Sequence, residues 1–239
     1  MTIIGANGSP VLCVEPRQTH LAAEPPAQEL ALALQFARAE KSDARRLSRP
    51  IARGQWWAAA PDNLIGLRDR ALLLMGFAAA LPRSELVGLD VADLKQSKVG
   101  MRLRIRTSKT DQDRQSVSVA IAPGSSTCPI ASLNKWLATA GIDDGPVFRP
   151  VFKGGRVANA RLSDRAVAEI VKSYATRIGL DPTSYSGYSL RAGFLTSAAQ
   201  RGASIFKMTD VSRHRSLDTL SGFVRDSEFF HNHAGAGLL

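Results

Sequence analysis

The run "VSRHRSLDTLSGFVRD", residues 211–226, sets His214 between Arg213 and Arg215 and then places a phenyl ring, Phe223, after a glycine. Guanidinium and imidazole side chains make this a basic, chemically furnished stretch, although His214 taken alone reads as a helix-cap histidine. Three more arginines, Arg102, Arg104 and Arg106, alternate with apolar residues in "MRLRIR", and Lys109 follows them closely. Across the 239 residues, 31 Lys and Arg against 21 Asp and Glu leave a net charge of +10. Such an excess favours a polyanionic partner, because each cation set on a phosphate releases condensed counterions. A soluble arginine-rich protein without such a partner has the same composition, so charge leaves both readings open. Phe223 taken alone reads as a core residue of a short helix.

The two cysteines, Cys13 and Cys128, stand far apart and in no metal-ligand spacing, which argues against a disulfide scaffold or a zinc finger and fits a reducing cytoplasm. No apolar run approaches the roughly 18 residues of a membrane span, and the start lacks the basic and apolar regions of a signal peptide. A soluble, cytoplasmic chain is the expectation.

The elements that must position these residues are legible from hydrophobic period. Residues 1–60 offer one helix, "QELALALQFARAEKSDARRL", Pro-rich "EPPAQ" and paired tryptophans, enough for an arm and a docking segment but not for a second compact domain. In "DNLIGLRDRALLLMGFAAALP", Leu64, Leu67, Ala71, Leu74, Ala78 and Leu81 form one helical stripe, while Leu72, Leu73 and Met75 make the other faces apolar. This predicts a central, almost wholly buried helix that Pro82 stops. The period then changes to two. "MRLRIR" and "SVSVAIA", joined by "TSKTDQDRQ", predict an antiparallel hairpin with three arginines on its outer face and Lys109 near its tip. A helix over "PIASLNKWLATAG", a short hairpin around Gly154-Gly155, a helix capped by Ser163 and ended by Gly179, and three short C-terminal helices complete the pattern. The fold class is mainly α with a small antiparallel β-sheet (α+β).

Four stretches in order, "ALPRSELVGLDVADL", "RTSKTDQ", "GYSLRAGF" and "VSRHRSLDTLSGFVRD", resemble the catalytic domain of the tyrosine recombinases, the phage-integrase family. The resemblance covers roughly residues 60–239, which divides the chain into an N-terminal arm, 1–60, and a recombinase-like domain, 61–239. The family shows Arg-x-Ser-Glu-Leu after a buried helix, a hairpin lysine, His-x-x-Arg, a later histidine, and a tyrosine on a late helix. Its tyrosine attacks a DNA phosphodiester to form a phosphotyrosyl link. Arginines and a histidine stabilise the charge that develops, and a lysine protonates the leaving oxygen. The resemblance implies no metal and no cofactor, with double-stranded DNA as partner. A further partner is an active recombinase or a second copy of the chain docking through its C-terminal region.

Carried over by position, Lys109, Arg191 and His214 match the family's hairpin lysine, second arginine and later histidine. Three positions depart. Pro82 falls where the first arginine belongs, Tyr188 replaces the histidine of His-x-x-Arg, and Phe223 takes the place of the nucleophile. Arg83 has the right charge but points about 100° further round the helix. Losing one transition-state donor costs about 10² to 10³ in rate, whereas a phenyl ring has no oxygen with which to attack phosphorus. No tyrosine follows Tyr188, and Ser221 and Ser227 lack the reach and acidity of a phenol. The expectation is a dead site that still binds DNA through Arg83, Lys109, Arg191, Arg213, His214 and Arg215. Two alternatives stand beside it: a divergent recombinase using a nucleophile donated in trans, and a decaying mobile-element remnant. The arm resembles only the beginning of the family's N-terminal clamp domain, most of which is expected to be missing.

Overall fold

The computed structural model describes residues 3–4, 10–11, 55–106, 117–125, 127–214 and 216–228. Two short strands, β1 (Ile3–Ile4) and β2 (Pro10–Val11), pair antiparallel. The main body begins at a single-turn helix, α1 (Gln55–Ala58). The helix expected in the N-terminal arm, over 28–47, lies outside the described residues, as do Cys13 and the hairpin tip with Lys109.

The central helix is α2 (Leu64–Ala78), capped by Asn63, whose side chain accepts from the Gly66 amide at 2.9 Å. Its later turns are sealed: Ala71, Leu72, Leu73 and Met75 have no exposed surface. Leu64 and Leu67 are only half-buried, because the first turn emerges from the core. The helix ends before the proline expected to stop it. Ala80 adopts a positive φ of 48°, which breaks the helix at Ala78. Pro82 instead starts α3 (Arg83–Gly88), its carbonyl accepting from the Glu85 and Leu86 amides at 3.0 Å. Proline suits that place, since its fixed φ is already helical and it has no amide to satisfy.

Paired tryptophans seat α1 on this frame. Trp56 meets Tyr185 edge to face, and Trp57 meets Phe77, which in turn meets Phe194. Trp56, Trp57, Ala59 and Ala60 thus pack into the main core, while Ala58 faces outward.

A 3₁₀ turn, Val91–Asp93, leads into a three-stranded antiparallel sheet of β3 (Leu94–Ser97), β4 (Gly100–Ile105) and β5 (Val117–Ile121). The sequence pattern supplies the β4–β5 pairing, with Ile105 opposite Val117, and buries Met101, Leu103, Ile105, Val119 and Ile121. Val117, at the open end, is exposed. The edge strand β3 was not legible, since "LKQS" is too short and polar to show a period. Behind the sheet come α4 (Pro129–Ala140), which lies along α2, and then a tight turn in which Val151 bridges Val157. Next is α5 (Asp164–Arg177), capped by Ser163 and followed by Gly179 at φ 76°.

The last three helices are α6 (Ser189–Gln200), α7 (Ile205–Ser212) and α8 (Leu217–Glu228). They enclose a second core of Ala192, Leu195, Ala199, Met208, Leu220 and Phe223. Close approach of α6 to the main body depends on Gly76. A Cβ there would lie 2.8 Å from Leu190 and 2.9 Å from Leu86.

One carboxylate ties the sheet to α3. Asp93, 1% exposed, accepts from Arg104 at 3.0 Å and from Arg106 through both its oxygens at 3.1 and 3.0 Å. Asp90 alongside takes Arg106 at 2.7 Å and Arg161 at 2.5 Å. Arg161 also donates to the carbonyls of Val87 and Leu89, the C-terminal end of α3. Two of the three strand arginines are therefore occupied by acids within the fold. Removing Asp93 takes away the buried acceptor that both guanidinium groups share, whereas removing Arg104 leaves the Asp93 carboxylate still held through both oxygens by Arg106. Asp93→Ala is expected to lower unfolding free energy by about 2 kcal/mol, and Arg104→Ala by under about 1 kcal/mol, both read from urea unfolding curves.

Candidate functional site

Arg191 lies in the first turn of α6, 8% exposed, facing the turn between α2 and α3. Its Nη1 donates to the Ala80 carbonyl at 2.9 Å, and its Nη2 meets His214 Nδ1 at 3.2 Å. Tyr188 stands one turn before Arg191, and its side chain favours the charged form of the guanidinium. Burial, and after it the charge of Arg213, pulls the Arg191 pKa below the usual arginine value, while Tyr188 and Glu85 oppose the shift. The group stays a cation, but one whose partners are fixed in advance. Local backbone holds the turn that presents it: Ser189 Oγ accepts from the Ser186 amide at 3.0 Å, and Ser186 Oγ from the Tyr188 amide at 3.2 Å.

His214 follows the C-terminal end of α7. Burial, reinforced by the Arg191 charge, lowers its pKa from 6.5 to about 4, so the ring is neutral at pH 7. A neutral ring facing a guanidinium must offer a lone pair, which assigns Nδ1 as acceptor from Arg191 and leaves the proton on Nε2. The buried Ser212 hydroxyl sits 2.9 Å from the same Nδ1. The result is a guanidinium and an Nε2–H donor held side by side, which suits a tetrahedral oxyanion.

Strain marks this place. The two described non-glycine residues with positive φ are Ala80 and Arg213, at 48° and 55°, and both flank Arg191. L-residues pay roughly 1 to 2 kcal/mol for this conformation, and packing must hold them in it. Ala80 uses it to aim a carbonyl at Arg191. Arg213 uses it to turn His214 inward, while its own side chain, 19% exposed, is paired with Glu85 of α3. Among the described residues, Arg213 Nε is buried without a hydrogen-bond partner.

The other residues singled out in the sequence are spread around this pair. Pro82 begins α3 and brings no side chain to Arg191. Arg83 lies over Gly187, where an added Cβ would meet its stem at 2.9 Å, and ion-pairs with Asp164 at 3.2 Å, both half exposed. Tyr188 is half-buried beside Arg191 and also touches the C-terminal core. Phe223, 8% exposed, is packed in that core with Leu195, Met208 and Leu220. Lys109 and Arg215 fall outside the described residues.

Sequence reasoning missed Ala80, Ser212 and the role of Glu85. A backbone carbonyl leaves no mark in a sequence, and the Arg213 pair joins residues 128 apart. Glu85 did stand inside the quoted "RSELVGL", which was the available signal. Among the described residues no group of three His, Cys, Asp or Glu side chains is placed to hold a metal, and no helix is long and apolar enough to cross a membrane.

The model of the Phage integrase family matches residues 55–228. An integrase/recombinase xerD homolog of Selenomonas ruminantium is 36% identical over 208 residues, covering 84% of this chain and 61% of that protein. The tyrosine recombinase XerD of Xanthomonas axonopodis pv. citri is 33% identical over 172 residues, covering 67% and 52%. The chain thus spans about half to three-fifths the length of these curated relatives. The XerH site-specific recombinase, in a post-cleavage complex with palindromic difH substrate, superposes with a TM-score of 0.64 at 14% identity, over 80% of this chain and 54% of that one. The XerA recombinase gives 0.59 at 14% identity, over 81% and 67%. At these identities the structures speak for the fold.

Acid titration tests the site geometry. Between pH 6.5 and about 4 the unfolded chain binds a proton at this ring that the folded chain does not. Stability is therefore expected to fall as pH drops through that window. His214→Asn, which keeps an acceptor near Nδ1 without titrating, removes this contribution, read from urea midpoints against pH. Asp90 acts lower down. Burial would raise its pKa, but Arg161 and Arg106 hold it below the usual 3.8, so its contribution persists until still more acid conditions.

Proposed function

Since the chain belongs to the phage integrase family, we propose that it is a duplex-DNA-binding member that holds a backbone phosphate at Arg191 and His214 without cleaving it. What supports this reading is the ordered Arg191–His214 pair together with an apolar ring, Phe223, at the place the motif order assigns to the family's attacking phenol. Phe223 lies in the C-terminal core and has no nucleophilic atom. The chain has three tyrosines. Tyr174 and Tyr185 are buried, and the Tyr174 hydroxyl donates to Asp69 at 3.2 Å. Tyr188 is turned to Arg191 instead of standing on the late helix.

Phosphate binding is supported from the other side by what the fold maintains. A buried guanidinium, a neutral histidine fixed in one tautomer and two strained residues are costly to keep in a fold that merely persists. That favours a working binding site over a remnant. The same preorganised cations would serve a subunit that receives a tyrosine in trans, so an active relative belongs in the test. The arm before residue 55 and the hairpin with Lys109 are proposed to add further backbone contacts. Repression of, competition with, or assembly alongside an active recombinase are roles open to such a protein.

Duplex binding measured over a salt series is expected to weaken linearly in log–log form, with a slope of about 0.9 per phosphate contact. Arg191→Ala should lower affinity at every salt concentration. No binding at low salt would overturn the reading. On a nicked suicide substrate the chain, alone or mixed with an active relative, is expected to form no covalent adduct. Phe223→Tyr should leave cleavage absent, because Pro82 and Tyr188 still withhold two of the family's phosphate ligands. Efficient cleavage by that variant would show the remaining site to be competent.

A further inference from the structure

The outer face of the sheet carries cations that the Arg191 site does not use. Lys95 and Arg102 are directly opposed partners across β3 and β4, and both are exposed. Lys98 stands exposed in the turn joining these strands. Like charges directly opposite one another in an antiparallel pair destabilise the sheet. Further along β4 the fold deals with this differently, setting Asp93 and Asp90 against Arg104 and Arg106. Among the described residues no acid forms an ion pair with Lys95, Lys98 or Arg102. One strand is thus divided into a neutralised half and a half left cationic.

The neighbours on β5 are small. Ala120 is opposite Arg102, and Ser118 is opposite Arg104, both exposed. These side chains do not cover the cations. Among the described residues this face presents no large apolar side chain of the kind that anchors a protein partner; Val99, at the turn, stands beyond it. A phosphate backbone needs only cations and small polar groups. Arg104 and Arg106 also line, with Ser84 and Glu85, a groove of about 240 Å³ between the sheet and α3. Glu85 is the residue that holds Arg213 beside His214. The neutralised half of the strand therefore shares a groove with Glu85, and the cationic half continues from it along β4.

We propose that Lys95, Lys98 and Arg102 form a second contact surface for the DNA sugar–phosphate backbone, apart from the phosphate held at Arg191. This rests on the DNA-binding reading and adds a surface to it. The face reads no sequence. It adds affinity and fixes the orientation of the duplex across the sheet.

The test uses the full chain and a labelled duplex of about 30 base pairs, roughly three helical turns, titrated over a salt series. The triple variant Lys95→Gln, Lys98→Gln, Arg102→Gln is expected to reduce the slope of log K against log salt by about 2 to 3, since each neutralised phosphate accounts for about 0.9 of it. Its thermal midpoint should be unchanged or higher, since an opposed like-charge pair has been removed. A control variant, Lys153→Gln, Arg165→Gln, Lys172→Gln, removes the same charge elsewhere and is expected to leave the slope unchanged. If wild type binds and the sheet variant keeps its slope, or the control's slope drops as much, this inference falls while DNA binding at Arg191 stands. If wild type binds no duplex even at low salt, while Arg191→Ala behaves identically to it, both fall together.

Discussion

The organisation of the site follows from burying one guanidinium. Arg191 is a cation largely removed from water, and such a group is tolerable only where its donors are met by fixed acceptors. Its acceptors come from places far apart in the chain: the Ala80 carbonyl after the central helix and His214 after α7. Two backbone strains, the positive φ at Ala80 and at Arg213, are what bring both into place. The Glu85–Arg213 pair then closes the arrangement from α3. Helix ends, tautomer and inter-helix contacts all serve the same charge.

That constraint separates binding from bond breaking. The Arg191–His214 pair is preorganised whether or not a nucleophile is present, because it is built from α6, the residues after α7 and the turn after α2. Phe223, which the motif order sets against the family's phenol, lies on α8 in the apolar core formed with α6 and α7. Phe223 is a sound core residue there. On the proposed reading, a phenyl ring at this place removes attack chemistry while the fold and the buried cation remain, which is what a binding protein on this scaffold requires.

The parts of this architecture set by local period were legible in the sequence. The apolar run around Leu72 and Leu73, the alternation in "MRLRIR" and the Ser163 cap each correspond to an element in the fold. Parts set by single backbone conformations were not. Proline was the visible stop for the central helix, yet Ala80 ends it, because alanine in a left-handed conformation has no sequence signature. The edge strand β3 was hidden for lack of length. In the site, the ordered motifs pointed to Arg191 and His214, which the fold does bring together. They could not show that Arg213 is held by Glu85, or that acids occupy Arg104 and Arg106 while leaving Arg102 open. Long-range ion pairs are decided by tertiary geometry, and composition counts their members only as charges.

The central claim is that Arg191 and His214 hold a DNA phosphate that the chain leaves intact. A crystal structure of the protein with duplex DNA tests it most directly. The account predicts one phosphate oxygen in hydrogen-bond range of the Arg191 guanidinium and another in range of His214 Nε2, on an unbroken strand. A duplex bound elsewhere with this pocket empty of phosphate, or a strand joined covalently to the chain, would contradict it.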